Sequence, residues 1–181
     1  MRSLLKSGCV TTDSLSKSKF VSSCNVFPGE PPANIYIEGC LTPPCQLPQL
    51  QDAVINLVFK IPRLIRRMRT LATAWVIPIV PIPYDLQENA ETCNFLKNTY
   101  CPVLPGEIVQ YTLRMYIQPF FPVNTQATIE FRVVDDNNQA FICIRVPIRI
   151  MAAVNPNIAR NATLPQTFNI NITNNSTITL V

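Results

Sequence analysis

Hydrophobic and polar residues alternate through most of the middle of the chain. Val109, Tyr111, Leu113, Met115 and Ile117 interleave with Gln110, Thr112, Arg114 and Tyr116, a period of two that predicts a strand with one buried face and one wet face. The pattern recurs. Ala53, Ile55, Leu57 and Phe59 fall on one face of residues 51–59, and Ile129, Phe131 and Val133 oppose Thr128, Glu130 and Arg132. Ile142, Ile144, Val146, Ile148 and Ile150 oppose Cys143, Arg145 and Arg149. Lys19–Cys24, the stretch around Ile35 and Ile37, and Thr70–Ile77 read as further strands. Turn signals separate them, among them Pro28-Gly29, Pro31-Pro32 and the run Asp135–Asn138, read as a hairpin turn and not as a catalytic carboxylate pair. About seven short strands with no long helical period predict an all-β sandwich.

Two stretches break the alternation. Val76–Tyr84, VIPIVPIPY, has no charge and carries Pro78, Pro81 and Pro83. Each proline removes a ladder donor, which places the stretch on a sheet edge or leaving a sheet. An apolar edge of this kind suits the rim of a greasy pocket and equally suits a wall closing an ordinary core. The second stretch joins the cations Lys60, Arg63, Arg66, Arg67 and Arg69 to Ile61, Leu64, Ile65 and Met68, spaced i, i+3, i+4, i+7 behind Pro62. It reads as a basic amphipathic turn or short helix able to lie on an anionic membrane surface. The plainer reading is a solvated loop whose apolar residues fold back on the sandwich.

Composition narrows the classes. The 181 residues carry a net charge of +4, too few cations without a long basic face to predict nucleic-acid binding. The longest uncharged run near the middle, Thr70–Tyr84, is shorter than a membrane helix needs and is interrupted by prolines. Seven cysteines with no histidine and no CxxC pair make disulfides the expected use of sulfur, and no metal site or cofactor is expected. Cys40 and Cys45 flank a tight Pro-Pro bend, and Cys93 and Cys101 lie eight positions apart; both spacings suit local bridges. Residues 1–18, rich in serine and lysine, read as a disordered or non-native leader holding the odd Cys9. They lack a signal-peptide core, for which a start lying upstream is the expected explanation. Residues 151–181 hold one charge, Arg160, and sequons at Asn161, Asn171, Asn174 and Asn175, and read as a flexible, glycosylated tail. Residues 19–150 form the domain between.

From Cys24 to Ile150 the chain resembles the Niemann-Pick type C2 proteins of the ML lipid-recognition domain family. The matching pieces are CLTPPCQL (Cys40–Leu47), VPIPY (Val80–Tyr84), CPVLPGE (Cys101–Glu107), the strand through Tyr111, FFPV (Phe120–Val123) and VVDDNNQAFIC (Val133–Cys143). The resemblance implies an immunoglobulin-like sandwich of two antiparallel sheets with a lipid cavity between them. It also implies bridges Cys24–Cys143, Cys40–Cys45 and Cys93–Cys101, where six cysteines alone allow 15 pairings. The family's pocket-entrance positions fall on Tyr84, Ile117 and Phe121, with Pro122 following. Val80, Tyr111, Leu113, Met115, Phe131 and Val133 are candidate wall residues. Tyr84 stands where the family more usually has phenylalanine, and its hydroxyl is a candidate partner for a ligand head group. The match of VPIPY shifts Val76–Tyr84 toward the pocket-rim reading.

The function implied is non-enzymatic carriage of a sterol, fatty acid or similar apolar ligand. The expected site of action is the extracellular space or the lysosomal lumen, as a monomer delivering to a membrane, a receptor or a membrane transporter. The alternative is an innate-immune or chemosensory recognition protein that binds a microbial lipid or semiochemical. In that reading Arg63, Arg66, Arg67 and Arg69 favour phosphorylated lipids. A solid disulfide-bonded sandwich that only contacts other proteins is a third, structural reading. An enzyme is the weakest, because the chain has no histidine for a general base and none of its four glycines forms a phosphate-cradling loop.

Overall fold

A computed structural model describes residues 21–24, 29–77 and 80–154, except for the side chain of Ile77. Its strands are β1 (Asn34–Ile37), β2 (Cys45–Pro48), β3 (Asp52–Lys60), β4 (Met68–Ile77), β5 (Val80–Tyr84), β6 (Ile108–Tyr116), β7 (Gln126–Asp135) and β8 (Ala140–Met151). They form a three-stranded sheet, β1-β3-β6, and a five-stranded sheet, β2-β8-β7-β4-β5. The all-β sandwich read from the alternation is therefore the architecture. The inward residues of β3 and β6, from Ala53 to Phe59 and from Val109 to Met115, are buried as their period requires.

The structure corrects several local readings. The sheets are not wholly antiparallel: β2 runs parallel to β8, Cys45 opposite Ile148 and Pro48 opposite Met151. The chain leaves β1 in one sheet and crosses through the Cys40–Cys45 loop to the other, which it enters in the direction of β8. The expected first strand, Lys19–Cys24, contributes a single bridge, in which Ser22 exchanges backbone hydrogen bonds with Arg145; Lys19 and Phe20 lie outside the described residues. Glu30 then pairs with the backbone beside Ile142. Between these contacts, Cys24–Cys143 bridges the N-terminal segment to β8, with Cys40–Cys45 and Cys93–Cys101 closing the two short loops. The long bridge spans 119 residues, for which chain-entropy arguments give about 4–5 kcal/mol of stabilisation. The leader, Cys9 and the four sequons fall outside the described residues.

The basic segment is not a helix. Ile61, Ile65 and Met68 are each 1% exposed and fold back on the core, while Leu64 is exposed. Ile65 pairs with Val103 through two backbone hydrogen bonds, which pins the segment as an extended loop. Arg63 is tied to the β7–β8 turn: its Nε donates to Asp135 Oδ2 at 3.0 Å, and a second guanidinium nitrogen reaches the same oxygen. Asp135 Oδ1 accepts N–H groups from Asn137 and Gln139 at 2.9 Å each, stapling the β7–β8 turn. Burial alone would push this carboxyl up, but the Arg63 and backbone hydrogen bonds hold it below the usual carboxylate range. Arg69 pairs with Glu91 at 3.0 Å, and Arg66 and Arg67 are exposed.

The outer face of β7 is also drier than its alternation implies. Glu130 is 0% exposed, lying between Thr73 of β4 and Arg145 of β8 in the centre of the five-stranded sheet. Arg132 Nε at 3.6 Å and Arg145 Nε at 3.7 Å flank its carboxylate. Their charge offsets the cost of its burial.

Candidate functional site

Site geometry begins with the prolines. β5 pairs with β4 alone, Tyr84 opposite Ala72 and Pro81 opposite Trp75, so it is a sheet edge, where missing N–H groups cost little. Being on the edge brings Tyr84 to the open side of the sandwich, facing β6. Its hydroxyl donates to the backbone carbonyl of Tyr116, the last residue of β6, and so joins the edges of the two sheets. The hydroxyl that the sequence offers to a ligand head group is therefore engaged by the protein itself. Burial raises the phenol's pKa above its ordinary value.

Phe121 completes the mouth. Its ring lies 5.9 Å from Tyr84 and 4.7 Å from Phe120, which is itself 72% exposed. The loop carrying these rings is held at several points. Gln49 Nε2 donates to the carbonyls of Pro119 at 3.0 Å and Phe121 at 2.6 Å. Leu50 N–H donates to Ile117 O, and Ile117 N–H to Gln51 O, each at 2.8 Å. Asn124 N–H and Ile150 N–H tie the far side of the loop to β8. Nothing in the alternation pattern marks Gln49, whose role depends on a partner 70 residues away.

Behind the mouth lies a cavity of about 40 Å³. Met115, Ile117 and Phe121 bound it on one side; Leu47 of β2, Ala74 and Val76 of β4, Ala127 and Ile129 of β7, and Ile148 and Ile150 of β8 bound it on the other, with Tyr84 and Thr125 closing the rim. The structure thus brings Tyr84, Met115, Ile117 and Phe121 around one space. Other candidates lie elsewhere. Val80 is 53% exposed on the edge strand, and Pro122 is exposed beyond the rings. Tyr111, Leu113, Phe131 and Val133 are buried but do not line the cavity. They fill the other half of the sandwich, because alternation fixes which face a side chain takes and not how far along the strand the void begins.

In that filled half, the Tyr111 hydroxyl meets Thr70 Oγ1 at 2.8 Å, which in turn meets Thr92 Oγ1 at 2.7 Å. These groups satisfy one another in the core, and burial pushes the Tyr111 phenol up to about 12. The basic loop belongs to this end as well. β3 runs from Asp52, opposite Tyr116 at the mouth, to Lys60, opposite Ile108 beside the loop, a separation of roughly 25 Å at strand rise. Lys60, Arg63, Arg66, Arg67 and Arg69 therefore stand at the pole away from the cavity. Among the described residues, the one cluster of metal-ligand type is Cys24, Glu130 and Cys143, and its two sulfurs are joined to each other in a disulfide.

The chain is similar to known proteins in sequence and in fold. The sequence profile of the ML domain matches residues 18–150. The bovine (Bos taurus) NPC intracellular cholesterol transporter 2 is 24% identical over 118 residues, covering 65% of this chain and 76% of the relative. The crystal structure of a Niemann-Pick type C2 protein from Japanese carpenter ant superposes with a TM-score of 0.61 at 18% identity, covering 72% of this chain and 98% of that one. Chicken MD-1, in a complex with lipid IVa, gives a TM-score of 0.44 at 14% identity, covering 71% of this chain and 86% of its own. With its sandwich, its three bridges and a profile match spanning most of the sequence, the chain belongs to the ML domain family.

Proposed function

We propose that this protein is a non-enzymatic lipid carrier that takes a sterol, fatty acid or similar apolar molecule between its sheets. The supporting observation is the cavity at the Tyr84, Ile117 and Phe121 mouth, walled by aliphatic side chains and set in an ML domain. A lipid burying about 300–400 Å² of apolar surface there gains some 8–10 kcal/mol before entropic costs, enough for micromolar binding without charged contacts. The resting space of about 40 Å³ is far below the roughly 300–1,000 Å³ of small-molecule pockets. Loading therefore requires the sheets to part at the mouth, where the connection between their edges is a tyrosine hydroxyl and two rings. Incubation with a fluorescent sterol and a fluorescent fatty acid tests the reading. Saturable partition of either at micromolar protein supports it, and failure of both overturns it.

Membrane contact is assigned to a different surface from the mouth. Three disulfides fit an oxidising lumen or the extracellular space, and no helix among the described residues is long and apolar enough to cross a membrane. At the far pole, the exposed Arg66 and Arg67 follow the exposed Leu64 by two and three residues, and Leu64 lies next to Leu104 across the Ile65–Val103 bridge. This combination suits contact with an anionic membrane, and its binding to vesicles weakens with salt. A receptor or membrane transporter is the expected acceptor of the lipid. The immune or chemosensory alternative draws no support from the arginines of the basic loop, which are too far from the cavity to read a phosphorylated head group.

A further inference from the structure

The two sheets are unequal, and the larger overhangs the smaller at the mouth. Val76 of β4 lines the cavity, and Val80 and Ile82 of β5 share the face of Tyr84 by the strand period. All three belong to the inner face, yet all three are exposed. The small sheet ends at β6 and the large one continues to β5, so no strand among the described residues lies over this corner.

β6 offers the free edge that a covering strand needs. Gln110 O accepts Lys97 N–H, and Gln110 N–H donates to Asn98 Oδ1. The main chain of Gln110 therefore points away from β3, and by period so do the N–H and C=O groups of Thr112, Arg114 and Tyr116. The Tyr84 hydroxyl on Tyr116 O agrees with that direction. Beyond Gln110 no strand among the described residues pairs with this edge. The edge of β5 is a poorer template, because Pro81 and Pro83 have no N–H to donate.

The chain itself holds a segment that fits. β8 delivers it to the right place: Ile150 lines the cavity and Met151 O accepts Gln49 N–H, so the chain leaves the sandwich at the mouth end. Residues 155–181 fall outside the described residues. In their sequence, Phe168, Ile170 and Ile172 alternate with Asn169, Asn171 and Thr173 just after Pro165, and no charge occurs beyond Arg160. That is the pattern of a strand with one apolar and one wet face. Residues 155–166 reach up to roughly 40 Å when extended. Crossing from β8 to β5 takes roughly 15 Å, and passing between the sheets about 10 Å more.

We propose that residues 167–173 add to β6 as a fourth strand of the small sheet, laying Phe168, Ile170 and Ile172 over Val76, Val80 and Ile82. Asn169 and the sequon residue Asn171 then face water, where a glycan is accommodated. The added strand is a strap across the mouth, and lipid entry requires it to lift. The strap goes beyond the carrier reading, and only its effect on lipid entry rests on that reading.

The test uses full-length protein with benzoylphenylalanine in place of Ile82, irradiated at low micromolar concentration and mapped by mass spectrometry. The expected product is a link to residues 167–173 of the same chain. Links only to a second copy, or only to lipid when anionic vesicles are added, overturn the proposal by naming another occupant. Hydrogen exchange then separates an added strand from a loose cover. The amides of Thr112 and Arg114 are expected to exchange about tenfold or more faster in Ile170→Asn/Ile172→Asn than in wild type, and equal exchange overturns the pairing. The same variant should take up a fluorescent fatty acid several-fold faster, and an unchanged rate overturns the strap as a barrier to entry. If the fatty acid binds neither protein, the carrier reading fails, and the cross-link and the exchange still decide where the segment lies.

Discussion

Toward the basic loop the sandwich is filled by rings: Phe59 meets Phe141 edge-on at 6.0 Å, with Tyr111 and Phe131 fully buried beside them. Toward the mouth the same strands present smaller groups. Along β7 the inward residues fall in size from Phe131 through Ile129 to Ala127, while β6 passes from Tyr111 and Leu113 to the flexible Met115. β4 contributes Ala72 and Ala74. One pair of sheets is thus wedged solid at one end and left compressible at the other. The difference lies in side-chain volume and not in backbone topology, and under the carrier reading it makes the mouth end the one expected to move with ligand. Stability and binding should therefore separate along the strands.

The largest expected effect is in the filled half. Phe131→Ala removes a fully buried ring and is expected to cost about 3–5 kcal/mol in urea unfolding. In the mouth half the reverse substitution is the informative one. Ala127→Phe fills the cavity, and lipid affinity is expected to fall by about tenfold or more. The change in stability should stay below the roughly 1–3 kcal/mol that overpacking costs in a tight core. A loss of several kcal/mol for Ala127→Phe, or unimpaired lipid binding, would mean that the two halves do not differ in packing.

How far this division was legible in the sequence depends on the residue. The strands of β3, β6, β7 and β8 follow from their period of two, and the edge position of β5 follows from Pro81 and Pro83. Tyr84, Ile117 and Phe121, which the family resemblance singles out as an entrance, line one cavity. Hidden from the pattern was depth. Tyr111 and Phe131 alternate inward just as Met115 and Ile129 do, and only the cross-strand register shows which of them reach the void. β2, four residues with a proline, is too short to show a period. The i, i+3, i+4, i+7 spacing of Ile61, Leu64, Ile65 and Met68 mimics a helix, but pairing with Val103 pulls the segment into extended form. Glu130 looked wet because its burial comes from its central place in the sheet, between Thr73 of β4 and Arg145 of β8, which period alone does not show.

A smaller effect concerns how the filled end is fastened. Asp135 has a depressed carboxyl pKa, so the stability it supplies is fully present above the ordinary carboxylate range near pH 4 and is lost as pH falls through its lower folded value. Arg63 is 42% exposed on its side chain, so about 1 kcal/mol is expected. Asp135→Asn is expected to flatten this part of the pH dependence as pH falls below the ordinary carboxylate range. Hydrogen exchange at the β7–β8 turn, compared with exchange at β5, reports whether the acid loosening starts at the filled end. Unchanged turn protection in the variant would remove Asp135 from that role.

The smallest effect on stability is expected at the mouth, and it bears most directly on function. Tyr84→Phe keeps the ring that packs on Phe121 and deletes only the donor to the Tyr116 carbonyl. Tyr84 is half-buried, so the stranded carbonyl regains water and the stability cost should stay below about 1 kcal/mol. Its effect on opening is of a different kind. The hydroxyl joins β5 of one sheet to β6 of the other across the side where the cavity must widen, so every opening has to break it. Removing it should raise lipid uptake and release rates several-fold together while leaving affinity nearly constant, because a bond lost from the closed state is absent from both directions of exchange. Stopped-flow transfer of a fluorescent fatty acid measures both rates. Unchanged rates would show that the sheets part elsewhere, and a selective rise in release would show that the hydroxyl holds the loaded form and not the closed one.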